Sequence, residues 1–137
     1  MSDCIFCKVV AGEVPSHRVY EDKDTFAFLD IFGATDGHVL VVHKRHEEKI
    51  TKYKTDEVTA IFIAVQKVAR AVENAFHTDI LSIGINHGEP AGVHHAHVHI
   101  MPRFEGDGGG IMQTLPGHAL VEKNFAKTAQ RIKKEVT

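Results

Sequence analysis

No run of apolar residues in this chain approaches the ~20 needed to cross a bilayer, so no membrane-spanning helix is expected. The opening residues, Met1-Ser2-Asp3-Cys4, lack the basic and apolar regions of a secretory leader, and a cytoplasmic protein is expected. Charge of one sign is also scarce. Sixteen Lys and Arg stand against 18 Asp and Glu, for a net charge of −2. That balance argues against a general nucleic-acid or membrane-surface binder. There are only two cysteines, spaced Cys4-Ile5-Phe6-Cys7. In a reducing compartment this spacing suits metal or redox chemistry better than a structural disulfide. Internal repeats, low-complexity tracts and domain linkers are absent too. What remains is 137 residues, 43% hydrophobic and 25% charged, enough for one domain around one core.

One residue type is abundant: there are 11 histidines. Four fall in the stretch His94-His95-Ala96-His97-Val98-His99-Ile100-Met101-Pro102-Arg103, and its pattern alternates. His95, His97 and His99 hold odd positions, and Ala96, Val98 and Ile100 even ones. Period two is the strand pattern, so the three imidazoles should share one face while the apolar residues meet a core on the other. Pro102 cannot donate to a ladder and should mark the strand end. His94 is out of phase and should share the Ala96 face or lie in the preceding loop. Like-facing rings start about 6.6 Å apart and the outer two about 13 Å apart, so all three should not bind a single ion. A solvated face, a metal site using two rings, and nucleophilic catalysis by a neutral imidazole remain open on spacing alone.

The other elements follow in chain order. Residues 3–11 read as a short helix ended by Gly12, with Pro15 beyond. Arg18–Glu21 and Thr25–Asp30 read as a hairpin across Asp22-Lys23-Asp24. His38–His43 is nearly all apolar and β-branched, as a central strand buried on both faces would be. Residues 44–53 form a polar connection containing His46. A helix should run from about Asp56 to His77, N-capped by Thr55, with Val58, Ile61, Phe62, Val65, Val68, Ala69, Val72 and Phe76 on its apolar face. Residues 80–86 read as a strand, followed by a turn-rich loop from Asn86 to Gly92. Leu120, Phe125, Ala129, Ile132 and Val136 suggest a C-terminal helix. The expected fold is α+β: a five-stranded antiparallel sheet with two main helices. A sheet this small leaves an edge that a second copy would cover, so a homodimer with an extended sheet is expected.

The order of these blocks resembles the histidine-triad (HIT) family of nucleotide hydrolases and transferases. The carriers are His-φ-His-φ-His-φ-φ at 95–101, where φ is apolar; Cys4-Ile5-Phe6-Cys7-Lys8; Phe28-Leu29-Asp30-Ile31; and Gly37-His38-Val39-Leu40-Val41. Asn86, at the end of a strand before a Gly-containing loop, adds to them. The resemblance implies one HIT-like domain over 1–137, with its core at about 3–103 and a helical extension at about 117–136. It implies that His97 is the nucleophile, nucleotidylated on the α-phosphorus. His99 would bind and polarise the phosphate, and His38 would support the triad from the neighbouring strand. Asp30 would accept the ribose hydroxyls, Asn86 would lie near the phosphate, and Phe6, Val9, Phe28 and Ile31 would line the base pocket.

Cys4, Cys7, His46 and His95 resemble the ligand set of metal-binding members and imply a structural Zn²⁺, with no catalytic cofactor. His43 is the competing ligand to His46, and His17, His77, His87 and His118 are read as surface residues. One departure stands out. Many members place Gly-Gln or Gly-Gln-Ser ahead of the triad with four residues between that Gly and the first His, whereas here only Val93 and His94 separate Gly92 from His95. The implied substrates are purine nucleoside 5′-phosphate derivatives: phosphoramidates, acyl-adenylates or dinucleoside polyphosphates. A nucleotide-binding scaffold with little turnover and a zinc enzyme using the His row are the alternatives.

Overall fold

The computed structural model describes residues 3–88, 92–117 and 120–137. Its centre is an antiparallel five-stranded sheet. The strands are β1 (Arg18–Glu21), β2 (Thr25–Leu29), β3 (Val39–His43), β4 (Leu81–Gly84) and β5 (His97–Pro102), in the order β1-β2-β3-β5-β4. α1 (Ile5–Val10) and α2 (Thr55–Phe76) cover its two faces, and α3 (Phe125–Glu135) follows near the C-terminus. The α+β architecture is therefore as expected.

Register decides which side chains meet. Val42 pairs with His97 and Leu40 with His99, while Val41 pairs with Val98 and Val39 with Ile100. Directly paired residues share a face. Val39, Val41, Ala96, Val98 and Ile100 pack with Ile61, Ala64, Val65, Val68 and Val72 of α2. Leu40 and Val42 instead join Phe6, Val9, Phe26 and Phe28 beneath α1. The alternation in the His strand thus separates a dry face under the long helix from an imidazole-bearing face under the short one. β3 is buried along its whole length, as its unbroken apolar run demands.

Several boundaries differ from the sequence-based expectation. The β5 ladder starts at His97, not His95. Before it the Ala96 N–H is taken by the Glu47 carbonyl at 2.7 Å, so the chain pairs with the 44–50 connection instead. His94 lies in the bend ahead of the strand and is exposed. β4 ends at Gly84, which leaves Asn86 two residues past the strand. The N-cap of α2 is Lys54 rather than Thr55, because the Glu57 carboxylate accepts the Lys54 N–H at 2.8 Å and starts the helix one residue earlier. Phe62, placed on the core stripe by periodicity, is 46% exposed, and Ala64 takes a buried position instead. α1 stops at Ala11 because Gly12 turns left-handed (φ 77°) and its N–H bonds the Val9 carbonyl. α3 falls within the expected C-terminal stretch. Leu120 and Val136 lie outside it, and its apolar residues Phe125 and Ile132 are exposed. No helix among the described residues is long and apolar enough to cross a membrane.

Candidate functional site

Two side-chain clusters lie side by side on the α1 face. The first joins Cys4 and Cys7 to His46 and His95, whose ligand atoms all lie within 4.8 Å of one another. Each partner has a local reason to be there. A six-residue helix does not stand alone in water, and α1 is pinned by the buried Phe6 and Val9, which point its two thiols inward. His46 is held by its neighbours. Arg45 forms a forked ion pair with Glu57 at 2.6 and 2.7 Å, the Tyr53 hydroxyl donates to the Arg45 carbonyl, and Glu47 receives the Ala96 N–H.

Nδ1 of His95 is 3.5 Å from Cys4 Sγ and 3.6 Å from Cys7 Sγ, and Nδ1 of His46 is 3.5 Å from Cys7 Sγ. Tetrahedral bonds of about 2.3 Å to sulfur and about 2.05 Å to nitrogen give sulfur–nitrogen edges of about 3.5 Å. His95 Nε2–H donates to the His43 carbonyl at 2.8 Å, which leaves Nδ1 as the lone-pair atom facing the thiols. Burial pushes the His95 pKa down to about 4, so the ring is neutral, as a ligand must be. Burial and the neighbouring Cys4 raise the Cys7 thiol, a proton load that a cation would relieve. The donor set and its spacing therefore fit a tetrahedral metal ion. His43 does not compete with His46: its Nδ1 accepts the Arg45 N–H, and the ring lies against Tyr53.

The second cluster contains His97, His99, His38 and Asp30. His97 is buried beside Phe6, whose ring stands edge-on to it at 5.1 Å. Its Nδ1–H donates to the His95 carbonyl at 2.6 Å, so Nε2 carries the lone pair. The rings of His97 and His99 are 4.9 Å apart. His38, just ahead of β3, faces His99 with Nε2 2.9 Å from His99 Nδ1, and its own Nδ1 accepts the Ala34 N–H at 2.9 Å. Burial lowers the pKa of His38 and takes His99 down to about 4, with neighbouring rings adding to both shifts. Asp30 Oδ2 is 3.8 Å from His38 Nε2, yet a neutral His38 makes this no ion pair near pH 7. The other oxygen, Oδ1, accepts the Phe32 N–H. His99 Nε2 is buried and has no hydrogen-bond partner among the described residues.

The remaining expected site residues divide. Phe6, Val9 and Phe28 form one buried cluster, with Phe6 and Phe28 edge to face at 5.2 Å. Ile31 does not join it: it is 73% exposed and, with Asp30 and His38, borders an open cavity of about 590 Å³. Asn86 is exposed and shares a narrow slot with His97 and Val93. His17, His77 and His87 are exposed, while His118 lies outside the described residues. The Ala34 main-chain amide escaped the sequence reading, because no side-chain pattern marks it.

A sequence model described as the HIT domain matches residues 11–106. The "Protein hit" of Bacillus subtilis (strain 168) is 46% identical over 113 residues, covering 80% of this chain and 78% of its own. An Arabidopsis thaliana protein named adenylylsulfatase HINT3 is 32% identical over 121 residues, 87% of this chain and 61% of its own. Among solved structures, a zinc-bound histidine triad family protein from Mycobacterium smegmatis superposes with a TM-score of 0.72 at 31% identity, over 98% of this chain and 99% of that one. With the domain match spanning the whole sheet and the His97 cluster on it, and a relative 46% identical over most of the chain, the chain belongs to the HIT family.

Proposed function

We propose that this protein hydrolyses or transfers the nucleotidyl group of purine nucleoside 5′-phosphate derivatives through a covalent intermediate on His97. The substrate class is phosphoramidates, acyl-adenylates or dinucleoside polyphosphates. The observation that carries this reading is the hydrogen bond from His97 Nδ1–H to the His95 carbonyl. It holds the ring in the tautomer whose Nε2 can attack phosphorus. As the phosphorus–nitrogen bond forms, positive charge develops on the ring and the same bond becomes charge-assisted, hence stronger in the transition state than before it. The bond to the leaving group breaks and that group takes up a proton from solvent, which the attacking water gives back in the second step. Water then attacks phosphorus, the phosphorus–nitrogen bond breaks and the nucleoside monophosphate leaves.

The other roles follow from placement. His99 presents Nε2 as a buried donor without a protein partner, ready for a phosphoryl oxygen. An unsatisfied buried donor costs about 1–3 kcal/mol, and a ligand oxygen would remove that cost. Asp30 and Ile31 border the 590 Å³ cavity, where Asp30 can accept two hydroxyls of a ribose and Ile31 can flank a base, while Phe6, Val9 and Phe28 form a separate apolar cluster beside His97. Asn86 sits at the slot beside His97. Cys4, Cys7, His46 and His95 hold a structural Zn²⁺, whose contribution when bound is to tie α1 to the sheet. The whole chain forms one HIT-like domain, core 3–103 with an extension over 117–136, and pairs with a second copy through the open sheet edge. The Arabidopsis relative's name, an adenylylsulfatase, supports an adenylyl derivative as substrate.

The test is turnover of an adenosine phosphoramidate and of diadenosine polyphosphates by wild type, His97→Ala and His97→Gly. Acid-quenched wild type should also carry a nucleotidyl group on His97, read by mass spectrometry. Loss of turnover by at least ~10³-fold in both variants, with nucleotide affinity kept, is the expected result. Equal turnover in variant and wild type refutes the nucleophile, and nucleotide binding without turnover in wild type supports the scaffold alternative.

A further inference from the structure

The second cluster has an orientation that begins in the main chain. Ala34 sits in the turn between β2 and β3. That turn is tied by Gly33 N–H to the Asp30 carbonyl at 3.0 Å, by His38 N–H to the Thr35 carbonyl at 3.1 Å, and by Asp30 N–H to the His38 carbonyl at 2.9 Å. Gly33 is tight: a Cβ there would come within 2.9 Å of both the Asp30 carbonyl and His38 Cβ. The turn therefore delivers one backbone N–H, that of Ala34, to His38 Nδ1 at 2.9 Å.

An amide N–H only donates, so Nδ1 of His38 accepts. A neutral imidazole has one protonated nitrogen, which leaves the proton on Nε2. That N–H points at His99 Nδ1, 2.9 Å away. His99 in turn must accept at Nδ1 and carry its own proton on Nε2, the buried nitrogen without a protein partner. Reversing the first tautomer reverses the chain, and His99 would then aim a lone pair at the phosphoryl oxygens and repel them.

The same argument bears on metals. Ligand atoms of Asp30, His38 and His99 lie within 4.8 Å of one another, a geometry that invites a divalent ion beside the Cys/His cluster. A metal bound to His38 Nε2 while Nδ1 still accepts from Ala34 would demand an imidazolate. The amide therefore makes this cluster a poor metal site.

We propose that the Ala34 main-chain amide is a positioning group: it sets the tautomer of His38, makes His99 an Nε2–H donor toward substrate, and keeps divalent metal out of the Asp30–His38–His99 cluster. The role in turnover rests on the nucleotidyl-transfer reading; the tautomers and the metal exclusion do not.

The first experiment uses the full-length protein as isolated, with histidine labelled in ¹⁵N. Long-range proton–nitrogen correlation at neutral pH reads which nitrogen of each ring carries hydrogen. The expected result is Nε2–H on both His38 and His99, and Nδ1–H on either ring overturns the proposal. The second uses Ala34→Pro, which removes the donor. In this variant His38 should lose its single tautomer, Co²⁺ titration should reveal one more bound equivalent than in wild type, and kcat on an adenosine phosphoramidate should fall ~10²-fold with KM little changed. A folded variant with wild-type tautomers, metal count and kcat overturns the proposal, and should the variant not fold, the wild-type spectrum decides alone. If wild type proves inactive on every nucleotide probe yet shows the expected tautomers, the nucleotidyl-transfer reading fails while the tautomer assignment stands.

Discussion

Lowering the pH should cost this fold stability through His99, by an amount that can be worked out. The unperturbed ring titrates near 6.5, and burial on the α1 face, reinforced by His97 and His38, brings it to about 4. Between those values the unfolded ring is charged and the native ring neutral, so the unfolded state binds more protons and stability falls as the pH drops. Above pH 6.5 the contribution is complete; it is lost progressively down to about pH 4. Taken between pH 7 and pH 5, the difference comes to about 2 kcal/mol. His99 is only half-buried, so solvent screening reduces this to ~1 kcal/mol. The assay is urea unfolding of wild type and His99→Leu at both pH values. Groups outside the His38–His97–His99 cluster are common to the two proteins, so the double difference reads His99 together with its coupling to His38 and His97. Wild type should lose about 1 kcal/mol more than the variant on going to pH 5. Parallel losses would refute the reasoning, for they would mean that His99 is already charged in the native state or never leaves solvent.

Removing metal should act on α1 before it acts on chemistry. Metal-replete protein should contain one zinc per chain by elemental analysis; a strong chelator or Cys7→Ser should lower Tm by more than ~5 °C and open the N-terminal segment to protease, with activity decaying as the fold does and not at once. A zinc content of zero in metal-replete wild type would refute the ligand assignment. Phe6→Ala should destabilise by about 3–5 kcal/mol in urea unfolding. Phe6 is 8% exposed and packs edge-on against Phe28 and His97, so its loss empties the wall shared by α1 and His97. A cost below ~1 kcal/mol would mean that α1 is not docked as described.

The parts of this structure that were legible in the sequence are those governed by period. Alternation at 95–101 assigned faces correctly, because a ladder cannot rotate one residue without turning its whole neighbourhood over. The α2 stripe was legible for the same reason, though Phe62 shows the limit: three-and-four spacing defines a stripe wider than the surface available to cover it. What escaped were events in which backbone and side chain trade partners. Lys54 replaces Thr55 as N-cap because Glu57 reaches back to it. His95 leaves the ladder because the Ala96 N–H finds Glu47. Ala34 orients His38 through an amide that every residue but proline possesses. Ile31, grouped with Phe6, Val9 and Phe28 by the family resemblance, stands apart from that cluster because the turn after β2 carries it outward.

His95 explains why the two clusters adjoin. Its ring faces the thiols, its Nε2–H is anchored on the His43 carbonyl, and its own carbonyl receives the Nδ1–H of His97. His95 lies two residues before His97, so the residue that turns its ring to the Cys/His cluster is also the one that turns its carbonyl to His97. Anchoring that ring at two points limits rotation about the 95–96 peptide, and with it the swing of the carbonyl that holds His97 in one tautomer. A metal on Cys4, Cys7 and His46 therefore need never touch substrate to matter for the reaction. It would act through the stiffness of one peptide unit, and its loss would free the orientation of His97 only as α1 and the His95 ring come loose.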